Sequence, residues 1–173
     1  MKVLAFAASN SKNSMNKQLA NYAAKQIAGA QVELLDINDY EMPLYSEDRE
    51  KEVGQPDLAK AFYQKLGEAD AIVISFAEHN GSYTAAYKNL FDWTSRINMQ
   101  VFQNKPVIML ATSPGPSGAG TVLAAAQGSA PYFAADVKGA ISVPSFYDNF
   151  DVESGQLTNK ELADNILSAI SQL

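Results

Sequence analysis

The residues best suited to hold a small anion lie in the segment "SNSKNSMN", residues 9–16, which follows a short apolar run. Small polar side chains offer hydroxyl and amide donors there, beside a predicted helix start whose first backbone N–H groups have no intrahelical acceptor. Because the dinucleotide fingerprint G-x-G-x-x-G is absent, the segment favours a monophosphate over a pyrophosphate. The alternative is a polar turn in which Ser14 only caps the helix. The candidate residues are Ser9, Ser11, Ser14, Met15 and Asn16.

A second polar segment, "AEHNGSYT", covers residues 77–84 and follows another apolar run. The dipeptide Asn-Gly is typical of a tight hairpin turn. However, the apolar run before it and the helical pattern after it predict a strand-to-helix loop. His79 either covers or hydrogen-bonds a ligand or is an exposed polar residue, and Glu78 either orients the backbone or is a surface acid. The candidate residues are Ala77, Glu78, His79, Asn80 and Gly81.

A third segment, "SPGPSGAG", covers residues 113–120. It is not a Walker A motif because the lysine is missing, and it is not the nucleophile elbow of a serine hydrolase because Ala119 replaces the last glycine. The segment is either a small-residue loop that lets a flat ligand approach the backbone or an ordinary flexible turn. The candidate residues are Ser113, Pro114 and Gly115.

Length and composition restrict the function classes. The 173 residues are 47% hydrophobic, which predicts a single domain over residues 1–173 with a substantial core. A net charge of -6 argues against nucleic-acid or membrane-surface partners. With no cysteine and one histidine, the chain has no disulfide, and we expect no metal site. The first apolar run is too short for a signal peptide, so we expect a soluble, cytoplasmic protein with a small-molecule partner.

Five apolar runs alternate with five helical patterns, which predicts an α/β chain with a parallel sheet. The predicted strands are residues 3–8, 31–37, 71–77, 106–112 and 137–143. The predicted helices are residues 14–28, 56–67, 84–98, 119–134 and 159–172, and residues 39–56 are predicted to form a long loop. In a sheet of order 2-1-3-4-5, the three polar segments meet at the carboxyl edge, near the switch point between the first and third strands.

Two of these segments resemble signatures of the NADPH-dependent FMN reductase family. "ASNSKNSMNKQL" is similar to the family pattern G-S-x-R-x-x-S-x-N-x-x-L and has Ser9, Ser14, Asn16 and Leu19 in common with it. "AEHNGSYTAAYKNLFDW" is similar to P-E-Y-N-G-S-x-P-G-x-L-K-N-x-x-D-W. The second match keeps Glu78, Asn80, Gly81, Ser82, Lys88, Asn89, Asp92 and Trp93.

Several positions depart from these signatures. Ser11 stands at the arginine position, His79 at the tyrosine, Ala77 at the proline, and Thr84 with Ala85 at the Pro-Gly pair. One hydrogen bond to a charged group contributes roughly 1.5 to 3 kcal/mol. The missing arginine therefore predicts FMN binding that is weaker by about tenfold to a hundredfold.

The resemblance implies a flavodoxin-like three-layer sandwich, in which a five-stranded parallel sheet of order 2-1-3-4-5 carries helices on both faces. It implies FMN as the cofactor, with its phosphate in the first segment and its isoalloxazine ring between the second and third. It also implies that hydride passes from NAD(P)H through bound FMN to a small acceptor such as a quinone or free flavin.

Two other functions remain open at this point, an electron carrier without NAD(P)H oxidase activity and a scaffold that has lost its flavin. The resemblance further implies a homodimer or homotetramer. The helix that carries Trp93 is a candidate interface, although this tryptophan could instead belong to the core.

Overall fold

The apolar runs form the strands of a parallel sheet in the computed structural model, which describes all 173 residues. The strands are β1 Lys2–Ala8, β2 Gln31–Leu35, β3 Ala71–Phe76, β4 Glu78–His79, β5 Ser82–Tyr83, β6 Pro106–Thr112, β7 Asp136–Val143, β8 Phe150–Asp151 and β9 Gln156–Leu157. The main sheet has the order β2-β1-β3-β6-β7, with all neighbouring strands parallel. Counted within this sheet, the order is 2-1-3-4-5, which confirms the predicted topology.

Helices cover both faces of this sheet, which confirms the three-layer, flavodoxin-like fold. The helices are α1 Met15–Lys25, α2 Glu47–Val53, α3 Asp57–Glu68, α4 Ala85–Ile97, α5 Gly120–Ser129, α6 Phe146–Asn149 and α7 Lys160–Ile170, with 3₁₀ helices at Ile37–Tyr40 and Ala130–Phe133. Helices α1 and α7 pack on one face, and α3, α4 and α5 pack on the other. No helix is long and apolar enough to cross a membrane.

The central strands β1 and β3 are almost wholly buried, as their apolar sequences predict. Phe6 on β1 packs edge-on against Phe62 of α3, with 5.6 Å between the ring centroids. Such an aromatic pair contributes roughly 0.5–1.5 kcal/mol beyond the burial of its surface. A close-packed sheet of this kind gives the loops at its carboxyl edge fixed starting points.

The prediction of a long loop over residues 39–56 is wrong, because the segment contains α2 and the second half of a 3₁₀ helix. Hydrophobic periodicity could not reveal α2, since none of its residues is buried. Its stability is local, because the Ser46 side chain accepts a hydrogen bond from the Arg49 N–H and acidic residues occupy its first turn. The segment is also tied to α4, since the Trp93 indole donates to the carbonyl of Pro43 at 2.7 Å.

The rejection of a hairpin at the Asn-Gly dipeptide is also wrong. Strands β4 and β5 pair antiparallel, and Asn80 and Gly81 form the two-residue turn between them with φ angles of 53° and 74°. Two consecutive positive φ angles are what a type I′ turn requires, and Asn-Gly supplies them at low cost. A two-residue hairpin can stand between β3 and α4 because the two strands of a hairpin begin and end close together. The chain can therefore continue into α4 near the end of β3.

Element ends differ from the predictions where proline or a cap intervenes. The predicted helix over residues 119–134 divides into α5 and a 3₁₀ helix, with Pro131 at the start of the second piece. Proline cannot donate a helical hydrogen bond, so it breaks the regular helix there. The second strand ends at Leu35, where Asp36 caps the 3₁₀ helix that follows.

Gly118 offers a test of how tightly the loop after β6 is held. Its φ is +57°, and a Cβ at this position would meet the Ser142 hydroxyl and lie 2.9 Å from the Pro144 nitrogen. We expect Gly118→Ala to lower the free energy of unfolding by more than about 2 kcal/mol, because strain and a backbone clash combine. Urea denaturation measures the change.

Gly128→Ala provides the matched control. Gly128 lies in α5, where a Cβ would have nothing within 4 Å. Alanine favours helix by roughly 0.5–1 kcal/mol over glycine, so this variant should be neutral or slightly stabilised. Equal stability of the two variants would contradict the close packing of Gly118.

Candidate functional site

The three polar segments meet in one open cleft at the carboxyl edge of β1, β3 and β6, where the strand order reverses. Its enclosed volume is about 130 Å³. The predicted residues that line it are Ser9, Ser11, Ser14, Met15, Asn16, Ala77, Glu78, His79, Ser113 and Pro114. Asn80 and Gly81 lie at the hairpin tip and, like Gly115, do not line it. Asn13 and Thr112 line it as well; Asn13 lies in the first polar segment without having been a candidate, and Thr112 is the last residue of β6.

The most distinctive feature of the cleft is a run of free backbone donors. The N–H groups of residues 12–16 donate to no protein atom, because they precede the first hydrogen bonds of α1. They lie at the positive end of the helix dipole. Consecutive free N–H groups at a helix start form a natural anion cradle. We call residues 12–16 the N–H cradle.

Two buried serines supply hydroxyl groups beside this cradle. The Ser9 oxygen accepts a hydrogen bond from the Ser11 N–H at 3.2 Å, and the Ser14 oxygen accepts one from the Lys17 N–H at 3.1 Å. In both cases the oxygen accepts, so the hydroxyl hydrogen remains available to donate to a ligand. Ser14 therefore caps α1 and can still face an anion, so the two alternatives considered for it are compatible.

Asn16 plays a different part in the cleft, because its amide is already engaged within the protein. Its Oδ1 accepts from the Ser75 hydroxyl at 2.7 Å and from the Thr112 N–H at 3.1 Å, and its Nδ2 donates to the Thr112 carbonyl at 3.2 Å. The residue is only 2% exposed. Its side chain thus joins the start of α1 to β3 and β6, while its backbone N–H belongs to the cradle.

Glu78 orients the backbone. Its Oε2 accepts a hydrogen bond from the Val122 N–H at 2.8 Å. The N-cap position of α5 is Ala119, which has no side chain that could cap the helix. Glu78 therefore caps α5 from the hairpin, and its negative charge lies favourably at the helix start. Of the two alternatives for this residue, the structure supports the backbone contact.

His79 lies on the exposed side of the hairpin at the rim of the cleft. Its backbone pairs with Ser82, and its imidazole makes no hydrogen bond with the protein. The hairpin itself is anchored by Thr84, whose hydroxyl donates to the Ala8 carbonyl at 3.1 Å and accepts from the Tyr87 N–H. Thr84 thereby begins α4 without the Pro-Gly pair of the family signature.

The segment after β6 is held by the turn that follows β7. The carbonyl of Ser113 accepts from the Phe146 N–H at 3.0 Å, and the carbonyl of Gly115 accepts from the Ser145 N–H at 2.9 Å. Ser145 adopts a φ of 44°, which is uncommon for serine. These bonds argue against a freely flexible turn, and they fix one wall of the cleft.

The charge near the cradle is modest. Lys17 forms an ion pair with Asp36, with 2.6 Å between Nζ and Oδ2. The hydrogen bond from Lys17 is the largest cause that lowers the pKa of Asp36 below its ordinary value. The Lys12 side chain forms no ion pair, so it is the cation of this loop that remains free for an anionic ligand.

The donor set fits a phosphomonoester. Five backbone N–H groups and two serine hydroxyls can satisfy phosphate oxygens without an arginine. The cleft is smaller than the roughly 300–1,000 Å³ of sites that enclose a whole ligand. A mononucleotide would therefore place its phosphate end inside and leave part of its ring system outside the enclosed space.

Comparison with known proteins agrees with this geometry. The model of the family described as NADPH-dependent FMN reductase matches residues 1–148. The chain belongs to the NADPH-dependent FMN reductase family. Membership makes it an oxidoreductase with FMN as cofactor and NAD(P)H as electron donor. The candidate loops all lie within the matched part of this FMN reductase family member.

Relatives and solved structures extend this result. The chain is 32% identical over 150 residues to the protein called MG342 homolog of Mycoplasma pneumoniae, covering 83% of this chain and 87% of that one. It is 33% identical over 119 residues to a quinone reductase of Escherichia coli K12, covering 68% of this chain and 63% of the relative. The fold is also similar to the solved structure of FerB, an NAD(P)H:(acceptor) oxidoreductase from Paracoccus denitrificans, with a TM-score of 0.75 and 22% identity. The match covers 99% of this chain and 93% of FerB, and it shows a common fold.

Trp93, a residue of the second family signature, belongs to the core of this family member. It is 0% exposed and packs against Tyr45, with 5.0 Å between the ring centroids. Its neighbour Asn89 donates to the carbonyls of Met42 and Pro43. The interface considered for this helix therefore cannot involve the Trp93 side chain, which holds the segment after β2 in place.

The Asn16 side chain generates a direct test. We expect Asn16→Ala to lower the free energy of unfolding by about 2–4 kcal/mol, because it leaves three buried polar groups on Ser75 and Thr112 without partners. Asn13→Ala is the control, since Asn13 is an exposed residue of the same loop. Its change should stay within about 0.5 kcal/mol. Urea denaturation of the flavin-free proteins gives both values, and similar losses would contradict a structural role for Asn16.

Proposed function

We propose that this chain binds the phosphate of FMN in the N–H cradle and oxidises NAD(P)H to reduce a small acceptor such as a quinone or free flavin. The observation that carries the proposal is the run of five unpaired N–H groups at residues 12–16, flanked by hydroxyl donors. When bound, FMN supplies the two-electron redox chemistry. The residues of the chain then have to bind the cofactor, orient its ring system and leave it accessible to NAD(P)H and the acceptor.

Binding rests on Ser9, Ser11 and Ser14 together with the backbone donors of Met15 and Asn16. Donors fixed by a helix start need no reorganisation when an anion arrives, which reduces the entropy cost of binding. Ser11 is exposed and its side chain makes no hydrogen bond with the protein, so its hydroxyl is free for a ligand. Lys12 adds a positive charge at the outer side of the loop.

We propose that the two remaining walls of the cleft orient the flat ring system of the cofactor. One wall is the hairpin with Ala77, Glu78 and His79, with Asn80 and Gly81 at its tip, and the other is the segment Ser113, Pro114 and Gly115. Glu78 holds the hairpin against α5, and the turn after β7 holds the other wall. Because both walls are tied to neighbouring elements, the gap between them is preset before a ligand enters.

Access follows from the open form of the cleft. Because the enclosed volume is smaller than FMN, the ring system of the cofactor would lie partly at the open mouth of the cleft, and we propose that donor and acceptor reach it there in turn. The open rim would also gain cover from a second copy of the chain. We therefore propose a homodimer or homotetramer as the working form.

Steady-state kinetics test the activity. Protein saturated with FMN should consume NADPH steadily when 1,4-benzoquinone is present, and double-reciprocal plots at several quinone concentrations should be parallel, because the two substrates alternate. Light scattering on the same sample should give a dimer or tetramer. Flavin binding without NAD(P)H consumption would instead identify an electron carrier. A protein that remains colourless after incubation with FMN and removal of the unbound flavin would be a scaffold.

A single substitution tests the phosphate position. We expect Ser14→Gly to weaken FMN binding by roughly tenfold or more, because one charge-assisted hydrogen bond contributes about 1.5 to 3 kcal/mol. Glycine replaces serine as a helix cap at a cost of only a few tenths of a kcal/mol, so the fold should persist. Fluorescence titration of flavin-free protein with FMN measures the dissociation constant.

Ser46→Gly is the matched control for this substitution. Ser46 caps α2 through the Arg49 N–H at 3.0 Å, in the same way that Ser14 caps α1, and it does not line the cleft. FMN affinity should be unchanged in this variant. If Ser14→Gly also leaves the affinity unchanged, the phosphate binds elsewhere.

A further inference from the structure

A second cavity, of about 210 Å³, lies between α4, α5 and the 3₁₀ helix Ala130–Phe133. Six of its thirteen lining residues are aromatic, namely Phe76, Tyr83, Tyr87, Phe91, Phe102 and Phe133. No residue lines both this cavity and the cleft that contains the N–H cradle. We call the second cavity the aromatic pocket.

Tyr87 is the unusual member of this wall, because it is a buried tyrosine whose hydroxyl has no partner, whereas Tyr83 is only partly buried. The residue is only 4% exposed, and only its backbone N–H takes part in a hydrogen bond. Every fully buried side-chain nitrogen or oxygen in the structure has a hydrogen-bond partner. The Tyr87 oxygen must therefore keep contact with accessible space, and the aromatic pocket is the cavity that Tyr87 lines.

This hydroxyl acts as a donor at neutral pH. Burial is the first cause that raises the pKa of Tyr87 well above its ordinary value, and the neighbouring Tyr83 adds to the effect. A phenol that keeps its proton in an apolar wall gains most from a ligand oxygen that accepts a hydrogen bond.

The size and wall of the pocket define what fits. A dry cavity of about 150 Å³ lined by apolar side chains binds benzene, so a volume of about 210 Å³ holds one ring with a small substituent. Aromatic walls favour a flat ligand that can stack or pack edge-on. The two charged residues of the wall, Lys88 and Asp92, pair with each other, with 2.6 Å between Nζ and Oδ1. A charged ligand would therefore lose its hydration here without meeting a free counter-charge, so the ligand is uncharged.

We propose that the aromatic pocket binds a small, uncharged aromatic carbonyl compound, whose oxygen accepts a hydrogen bond from the Tyr87 hydroxyl. This site is separate from the N–H cradle and needs no electron transfer, so it stands independently of the proposed activity. It also touches the hairpin from the other side, because Tyr83 lines the pocket and pairs with Glu78, which lines the cleft.

Acetophenone is the probe for this proposal, because it has one ring, one carbonyl and no charge. Binding is followed by ligand-observed NMR on protein saturated with FMN and without NAD(P)H, so that no reduction occurs. We expect saturable binding that Tyr87→Phe weakens by roughly twofold to tenfold, the range for one neutral hydrogen bond. Ethylbenzene, which lacks the oxygen, should bind the wild-type protein and this variant equally.

Two further variants keep the test specific. Tyr132→Phe is the control, since Tyr132 is 81% exposed and does not line the pocket, and it should leave acetophenone binding unchanged. Ala126→Leu adds volume inside the pocket and should weaken both probes, because Ala126 is a buried residue of its wall. Tyr87→Phe preserves the ring and its packing, so it decides the question even if Ala126→Leu does not fold.

Three results would overturn the proposal. The first is the absence of saturable acetophenone binding. The second is an equal affinity of wild-type protein and Tyr87→Phe for acetophenone. The third is an affinity that falls as the protein concentration rises, because it would mean that a second copy of the chain covers the pocket.

Discussion

The amide of Asn16 is the contact on which the geometry of the cleft depends. It binds the end of β3 through Ser75 and both backbone groups of Thr112 at the end of β6, and it does so from the first turn of α1. These bonds lie in a buried environment, where hydrogen bonds are electrostatically stronger than in water and where a missing partner is costly. They join the N–H cradle to the wall that begins at Ser113, because Thr112 directly precedes that wall.

A second group of contacts fixes the hairpin that forms the opposite wall. Thr84 ties its end to Ala8 of β1, and Glu78 ties its start to the first turn of α5. Thr84 replaces the proline of the family signature and caps α4 in its place, so a departure in sequence need not be a departure in structure. Signature residues can likewise be structural, since Asn89 and Trp93 hold the segment after β2 rather than a ligand.

Much of the fold and part of the site could be predicted from the sequence, because both depend on local patterns. The apolar runs at residues 3–8, 71–77 and 106–112 predicted strands of a parallel sheet, and the polar segments after them had to share one edge of that sheet. Family signatures then identified the cofactor class. Hydrophobic periodicity missed α2, which buries no residue, and it could not decide whether Asn-Gly formed a hairpin.

The sequence by itself determined the alternation of strands and helices, and the family resemblance of its motifs implied the strand order, the meeting of the three loops and the cofactor. These follow from periods of two and 3.6 residues, from the rules of parallel sheets and from short motifs. Only the tertiary structure decided the partner of each polar group. Asn16 meets Thr112 across 96 positions and Glu78 meets Val122 across 44, so no local pattern could reveal that their side chains bind the protein itself. The unpaired Tyr87 hydroxyl is of the same kind, because a missing partner can be recognised only when all its neighbours are in place.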